Sequence, residues 1–192
     1  MGQAVIIDDF LDDYKSFRYH CDHVNYDGIT SPVDDIFYPG VSLDIPAEIA
    51  GEVKNKITHR LGADIDVKYM FLRLSVDGVH DPHIAHTDSS MGEYSAMLYL
   101  NKTNDCIGGT AFLTHKDTGL NSNPINEKQE LVWRRDHSRF DAWQISNMLS
   151  MRQNRLVMFN SDHMHAALPV GGFGSSAKDG RLVLVCFFDV EA

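Results

Sequence analysis

"GRLVLVCFFDV", Gly180 to Val190, is apolar at every position from Leu182 to Phe188. Its β-branched and aromatic side chains favour the extended chain, and a strand apolar on both parities must be covered on both faces. The stretch predicts a central strand with core on one side and helix on the other. Outward from it, "VKYMFLRLSVDG" (67–78) puts Met70, Leu72 and Leu74 on one parity, as a half-buried strand does. "YSAMLYLN" (94–101), "GGTAFLTH" (108–115) and "NRLVMFN" (154–160) are short, rich in β-formers and bounded by Gly, Asn or Asp. Short strands separated by turns and long loops predict a mainly β fold, a sandwich or barrel.

The chain before Asp66 has a different texture and reads as mostly helical. "FLDDYKSFRYHCDHV" brings Phe10, Leu11, Tyr14, Phe17 and Cys21 near one helical face. "IPAEIAGEVKNKITHRLG" spaces Ile49, Val53 and Ile57 four apart and ends on Gly62. Between them, "YDGITSPVDDIFYPGVS" reads as a turn-rich surface crossing. Residues 1–66 are expected to support a core at 67–191, the whole a single domain. The segment 115–153 is the hardest to read: "INEKQELVWRRDHSRF" suits a helix, and "WQISNMLSM" suits a strand or a helix.

Length and composition narrow the class. The 192 residues fit one domain with its own core, and 43% hydrophobic with 23% charged content is that of a globular chain. Lys and Arg number 17 against 27 Asp and Glu, a formal net charge of −10, which is the wrong sign for clamping nucleic acid. "WRRDHSR" (133–139) is the sole basic cluster. Cys21, Cys106 and Cys186 have no paired spacing, which suits a reducing compartment rather than a disulfide framework. No signal-peptide pattern or membrane-spanning run is visible, so the expected location is cytoplasmic, with no membrane partner. Oligomeric state has no signature here.

The candidate chemistry lies in "DPHIAHTDSS" (81–90), where His86 and Asp88 form a His-x-Asp pair. In extended chain, residues two apart point to the same side, so an imidazole and a carboxylate can grip one cation if a third ligand arrives from afar. "NSDHMHAALPV" offers His163 and His165, which share a parity and are not separable on that ground.

The ordered set His86-x-Asp88, Tyr99-Leu100-Asn101, Gly108-Gly109-Thr110, His165 four residues before Pro169, and "RLVLV" from Arg181 resembles the iron(II) and 2-oxoglutarate dependent dioxygenases. Within these it is most similar to the prolyl-4-hydroxylase-like branch. The resemblance runs from about Tyr69 to Asp189. It implies a double-stranded β-helix (jelly-roll) core, with His86, Asp88 and His165 as ligands of Fe(II). His165 meets the family's spacing to proline and His163 does not. It further implies that Arg181 binds the far carboxylate of 2-oxoglutarate, that Tyr99 hydrogen-bonds the same group, and that Thr110 lines its pocket. Two histidines and a carboxylate on one face leave adjacent positions for the 2-oxo acid and O2. The implied reaction is hydroxylation of an unactivated C–H bond of a small molecule or an amino-acid or peptide side chain, with release of succinate and CO2. Family members that halogenate lack the carboxylate, so Asp88 points to oxygenation. A non-catalytic barrel that binds a metal or 2-oxo acid without turnover has little support, because the triad and Arg181 are both intact. A zinc hydrolase would need a general base such as Asp162 or Glu93, and neither accounts for Arg181. His80, His83, His115 and His163 read as surface or core histidines. With Trp133 and Trp143, the 115–153 segment is expected to form a lid or wall over the substrate pocket.

Overall fold

The computed structural model describes residues 4–31, 33, 35–79 and 83–191; His80 and the start of "DPHIAHTDSS" lie outside them. In chain order the elements are β1 (Val5–Ile7), α1 (Tyr14–Cys21), β2 (Ile29–Thr30), β3 (Phe37–Tyr38), β4 (Val41–Ser42), α2 (Ala47–Leu61), β5 (Ile65–Ser75), β6 (Tyr94–Tyr99), β7 (Gly109–His115), α3 (Glu127–Asp136), β8 (Trp143–Ser150), β9 (Arg155–Asn160), β10 (His165–Leu168) and β11 (Arg181–Val190). A six-stranded sheet runs β1-β9-β6-β11-β5-β4, a three-stranded sheet runs β10-β7-β8, and β2 pairs with β3 alone. All pairings are antiparallel. The architecture is a double-stranded β-helix with N-terminal helices packed outside it.

Strand β11 sits between β5 and β6, and its two parities part as its sequence predicts. Val183, Val185 and Phe187 join Met97 and Tyr99 of β6 and Val157 and Phe159 of β9 in the core between the sheets. Phe112 of β7 closes that core from the small sheet, its ring 5.1 Å from Phe159 and edge-on to it. Leu182, Leu184, Cys186 and Phe188 face the other way, against Phe17 of α1 and Val53 and Ile57 of α2. Each fully buried aliphatic or aromatic side chain contributes about 1.5–3 kcal/mol, so the shared strand ties both layers together.

The N-terminal segment holds more than helix. Asp13 caps α1 by accepting from Ser16 N, and Gly62 ends α2 at φ +68°, donating to Thr58 O. Around them four strands of two or three residues form, too short for periodicity to register. Of these, β1 and β4 finish the two edges of the large sheet.

The 115–153 segment divides in two. Its second part, β8, is a strand of the small sheet paired along β7. Its first part, with α3, covers the outer face of that sheet, where Trp143, Leu120, Met164 and Ala166 are buried against Ala111 and Leu113. Trp143 is therefore core, while Trp133 lines a cavity. Asn126 caps α3 by accepting from Gln129 N, and Gln129 Oε1 accepts in return from Ile125 N. No described helix is long and apolar enough to cross a membrane.

Candidate metal centre

Backbone pairing brings the His-x-Asp loop to β10. His86 N donates to His165 O (3.1 Å) and His165 N to His86 O (2.8 Å), so the two residues face each other as a bridge outside any longer ladder. Their rings lie 4.4 Å apart. Asp88 N donates to Ser161 O (2.9 Å), which fixes the carboxylate end of the loop beside β9. One ligand atom from each of His86, Asp88 and His165 lies within 4.8 Å of the others, and this is the one such cluster among the described residues.

The tautomers follow from the backbone. His86 Nδ1 lies 3.2 Å from Ile84 O and His165 Nδ1 2.9 Å from His163 O. A carbonyl only accepts, so each Nδ1 carries the proton and each Nε2 keeps its lone pair. Those lone-pair nitrogens face the carboxylate, His86 Nε2 at 3.8 Å from Asp88 Oδ1 and His165 Nε2 at 3.2 Å from Asp88 Oδ2. His165 Nε2 is buried and has no well-aligned hydrogen-bond partner among the described residues. Ser95 Oγ donates to Asp88 Oδ2 (3.0 Å) and is itself 2.8 Å from Ser161 Oγ, so the carboxylate is held in rotation. An orphaned imidazole nitrogen, a second imidazole and a braced carboxylate make a donor set for a divalent transition metal, with the outer hydrogen bonds such ligands need.

Burial alone would push the Asp88 carboxyl up, but His165 and His86 beside it hold it below its ordinary value. Burial likewise presses on the His165 imidazole, and the Asp88 charge holds it above its ordinary value.

The triad stands in a cavity of about 820 Å³, which Arg181, Thr110 and Ser75 also line. Arg181 is buried at the start of β11, opposite Ser75. Tyr99 is fully buried, and it is Thr110 that lines the cavity in front of it. The Tyr99 hydroxyl donates to Thr110 Oγ1 (2.9 Å), with Leu149 O at 3.1 Å. His163 is outside the cluster and packs on Phe112. His115 is a core histidine: its Nε2 donates to Asp136 Oδ2 (3.0 Å). His83 lies on the cavity wall against Trp133 and His137. Asp162 and Glu93 line a neighbouring, open pocket and not the cavity that holds the triad, so neither is placed as its base. The basic cluster is consumed locally: Arg134 pairs with Glu130, and Arg135 and Arg139 with Asp136.

Sequence reasoning missed Ser95 and Ser161. Ser95 was signalled as the one polar side chain on the inward parity of "YSAMLYL", which it shares with Met97 and Tyr99.

Solved structures share this double-stranded β-helix. A prolyl hydroxylase from Trichoplax adhaerens, in complex with a hypoxia inducible factor oxygen degradation domain peptide fragment, is 11% identical. The match covers 96% of this chain and 82% of that one, with a TM-score of 0.58. HygX from Streptomyces hygroscopicus with iron bound is 10% identical over 96% of this chain and 81% of that one, TM-score 0.54. EctD from S. alaskensis with 2-oxoglutarate and 5-hydroxyectoine is 11% identical over 96% and 71%, TM-score 0.53. At these identities the likeness is one of fold. By sequence, residues 2–188 match the model described as a family of unknown function (DUF6445), and the chain belongs to that family. No curated protein matches it.

Proposed function

We propose that this chain is an Fe(II)- and 2-oxoglutarate-dependent oxygenase of the prolyl-4-hydroxylase-like branch. Its reaction is hydroxylation of an unactivated C–H bond in a small molecule or an amino-acid side chain, free or in a peptide, with release of succinate and CO2. One observation carries the reading: ligand nitrogens of two imidazoles meet a braced carboxylate within 4.8 Å, in a cavity that a buried arginine also lines. In this reading His86, Asp88 and His165 hold the iron. Arg181 pairs with the far carboxylate of 2-oxoglutarate, for which a planar fork is suited. Thr110, backed by Tyr99, offers that carboxylate a hydroxyl.

Bound there, iron with 2-oxoglutarate and O2 supplies the oxidising power that no side chain has. The protein's own part is positional. Ser95 holds the carboxylate in rotation, the His86–His165 bridge fixes both rings, and Met97, Val183, Val185 and Phe187 keep water from the cavity wall. Helix α3, through Trp133 and Glu130, forms one wall of the substrate pocket.

The test is succinate formation in air with ferrous ion and 2-oxoglutarate. The intact protein is expected to form succinate slowly without added substrate, and His86→Ala to fall to background. Equal succinate from both proteins, or none from the intact one, overturns the reading.

A further inference from the structure

Ala85, the residue before the first ligand, is fully buried with Ala111 and Leu113 of β7, and both its backbone polar groups are bonded to the end of α3. Its N–H donates to His137 O (2.8 Å), and its carbonyl accepts from Trp133 Nε1 (2.9 Å). The two contacts come from one helical turn, closed by His137 N donating to Trp133 O (2.7 Å). The carbonyl of Ala85 and the N–H of His86 belong to a single peptide unit, which is rigid and planar. That plane is therefore held at both ends: Trp133 donates to its oxygen, and its N–H donates to His165 O (3.1 Å). The His86 side chain springs from this plane, its ring turned by the contact of Nδ1 with Ile84 O. Trp133 also lines the cavity, its ring 5.6 Å from that of His83. One side chain thus forms part of the cavity wall and holds the backbone of a ligand.

We propose that Trp133 is a positioning residue for the metal: its indole N–H, acting through the 85–86 peptide plane, sets the angle at which His86 presents its ligand nitrogen. The assignment rests on the part of the oxygenase reading that makes His86 a ligand. A ligand side chain works only when held within roughly 0.5 Å of its productive place, and hydrogen bonds from residues that never touch the metal do much of that holding. Without the indole N–H, the Ala85 carbonyl is a buried acceptor that has lost its donor. Such a group turns until it finds another partner. Here the plane can turn only about the His86 N–H, so the His86 Cα moves with it and the ring shifts against Asp88 and His165. Trp143 provides the internal comparison. Its indole also donates to a buried residue's carbonyl, Asp136 O (2.9 Å), but that bond ties α3 to β8 rather than to the metal loop.

The protein is titrated with ferrous ion in the absence of O2, and separately with cobalt(II), whose visible absorption reports the geometry of its ligands. No 2-oxoglutarate is added. Trp133→Phe keeps an aromatic ring and deletes the N–H. It is expected to weaken ferrous binding about tenfold or more and to shift the cobalt bands. Trp143→Phe deletes the matching N–H on β8 and should leave both readouts unchanged, although it also destabilises the fold toward urea. If Trp133→Phe does not fold, 3-benzothienylalanine at position 133 serves instead, since it keeps the indole outline with sulfur in place of N–H. The same loss of affinity and the same shift are expected of it. Unchanged ferrous affinity or unshifted cobalt bands in the position-133 variant would overturn the proposal, because the indole N–H would then only dock α3. An equal loss in Trp143→Phe would overturn it too, by tracing the effect to the helix as a whole. Intact protein that binds neither ion overturns the oxygenase reading and the proposal with it, a result set apart from the others because it precedes any substitution.

Discussion

Ser95 carries no charge and touches no cation, yet its hydroxyl decides how the Asp88 carboxylate is turned. Removing such an outer hydrogen bond weakens metal binding by about 10–100-fold in comparable sites. Ser95→Ala is expected to do so here with little change in folding, read by anaerobic titration with ferrous ion; unchanged affinity would show that the loop backbone alone orients Asp88. Of the two late histidines, His165→Ala should abolish ferrous ion binding and His163→Ala should leave it intact. Strand parity did not distinguish that pair, because both point the same way along an extended chain. What separates them is non-local: His165 exchanges two backbone hydrogen bonds with His86, and the His163 carbonyl is spent on the His165 ring. His86 and Asp88 were legible because their spacing is itself the geometry.

At the scale of elements, α3 is anchored by one buried carboxylate. Asp136, at its C-terminus, accepts from Arg135, Arg139 and His115, while its carbonyl accepts from Trp143 Nε1. The Arg135 hydrogen bond, with His115 and Arg139 adding to it, outweighs burial and holds the carboxyl at about 2. A carboxyl near 3.9 when unfolded and lower when folded stabilises the fold above about pH 4 and loses that contribution as pH falls toward 2. Asp136→Asn is expected to cost about 2–3 kcal/mol at neutral pH and to flatten the stability profile between those limits, measured by urea unfolding. A variant as stable as the intact protein at pH 7 would mean that α3 docks through Trp133 and Phe140 alone. This region resisted sequence reading because its ties cross the chain. His115, Asp136 and Trp143 belong to three elements, and no local period joins them. Strand β11 is the opposite case. Its unbroken apolar run states its two-sided burial outright, whereas β1 to β4 are too short to state anything.

Across the whole molecule, one sheet serves two purposes by its alternation. Even-numbered residues of β11 bind the helices, and odd-numbered residues, starting with Arg181, face the small sheet and the cavity. Leu184→Ala is accordingly expected to cost about 2–5 kcal/mol in urea unfolding without altering cosubstrate affinity, since its side chain lies on the helix side. A change in affinity would show that the two faces are coupled. The fold rests on this division, and so does the proposed function, because the face turned from the helices is where three ligands and Arg181 gather. The most direct measurement adds 2-oxoglutarate to the ferrous protein without O2 and records the visible charge-transfer absorption of a 2-oxo acid chelated to ferrous ion. That band is expected in the intact protein, absent from His165→Ala, and in Arg181→Gln shifted to much higher 2-oxoglutarate concentration; no band in the intact protein, or the same band in His165→Ala, would contradict the account.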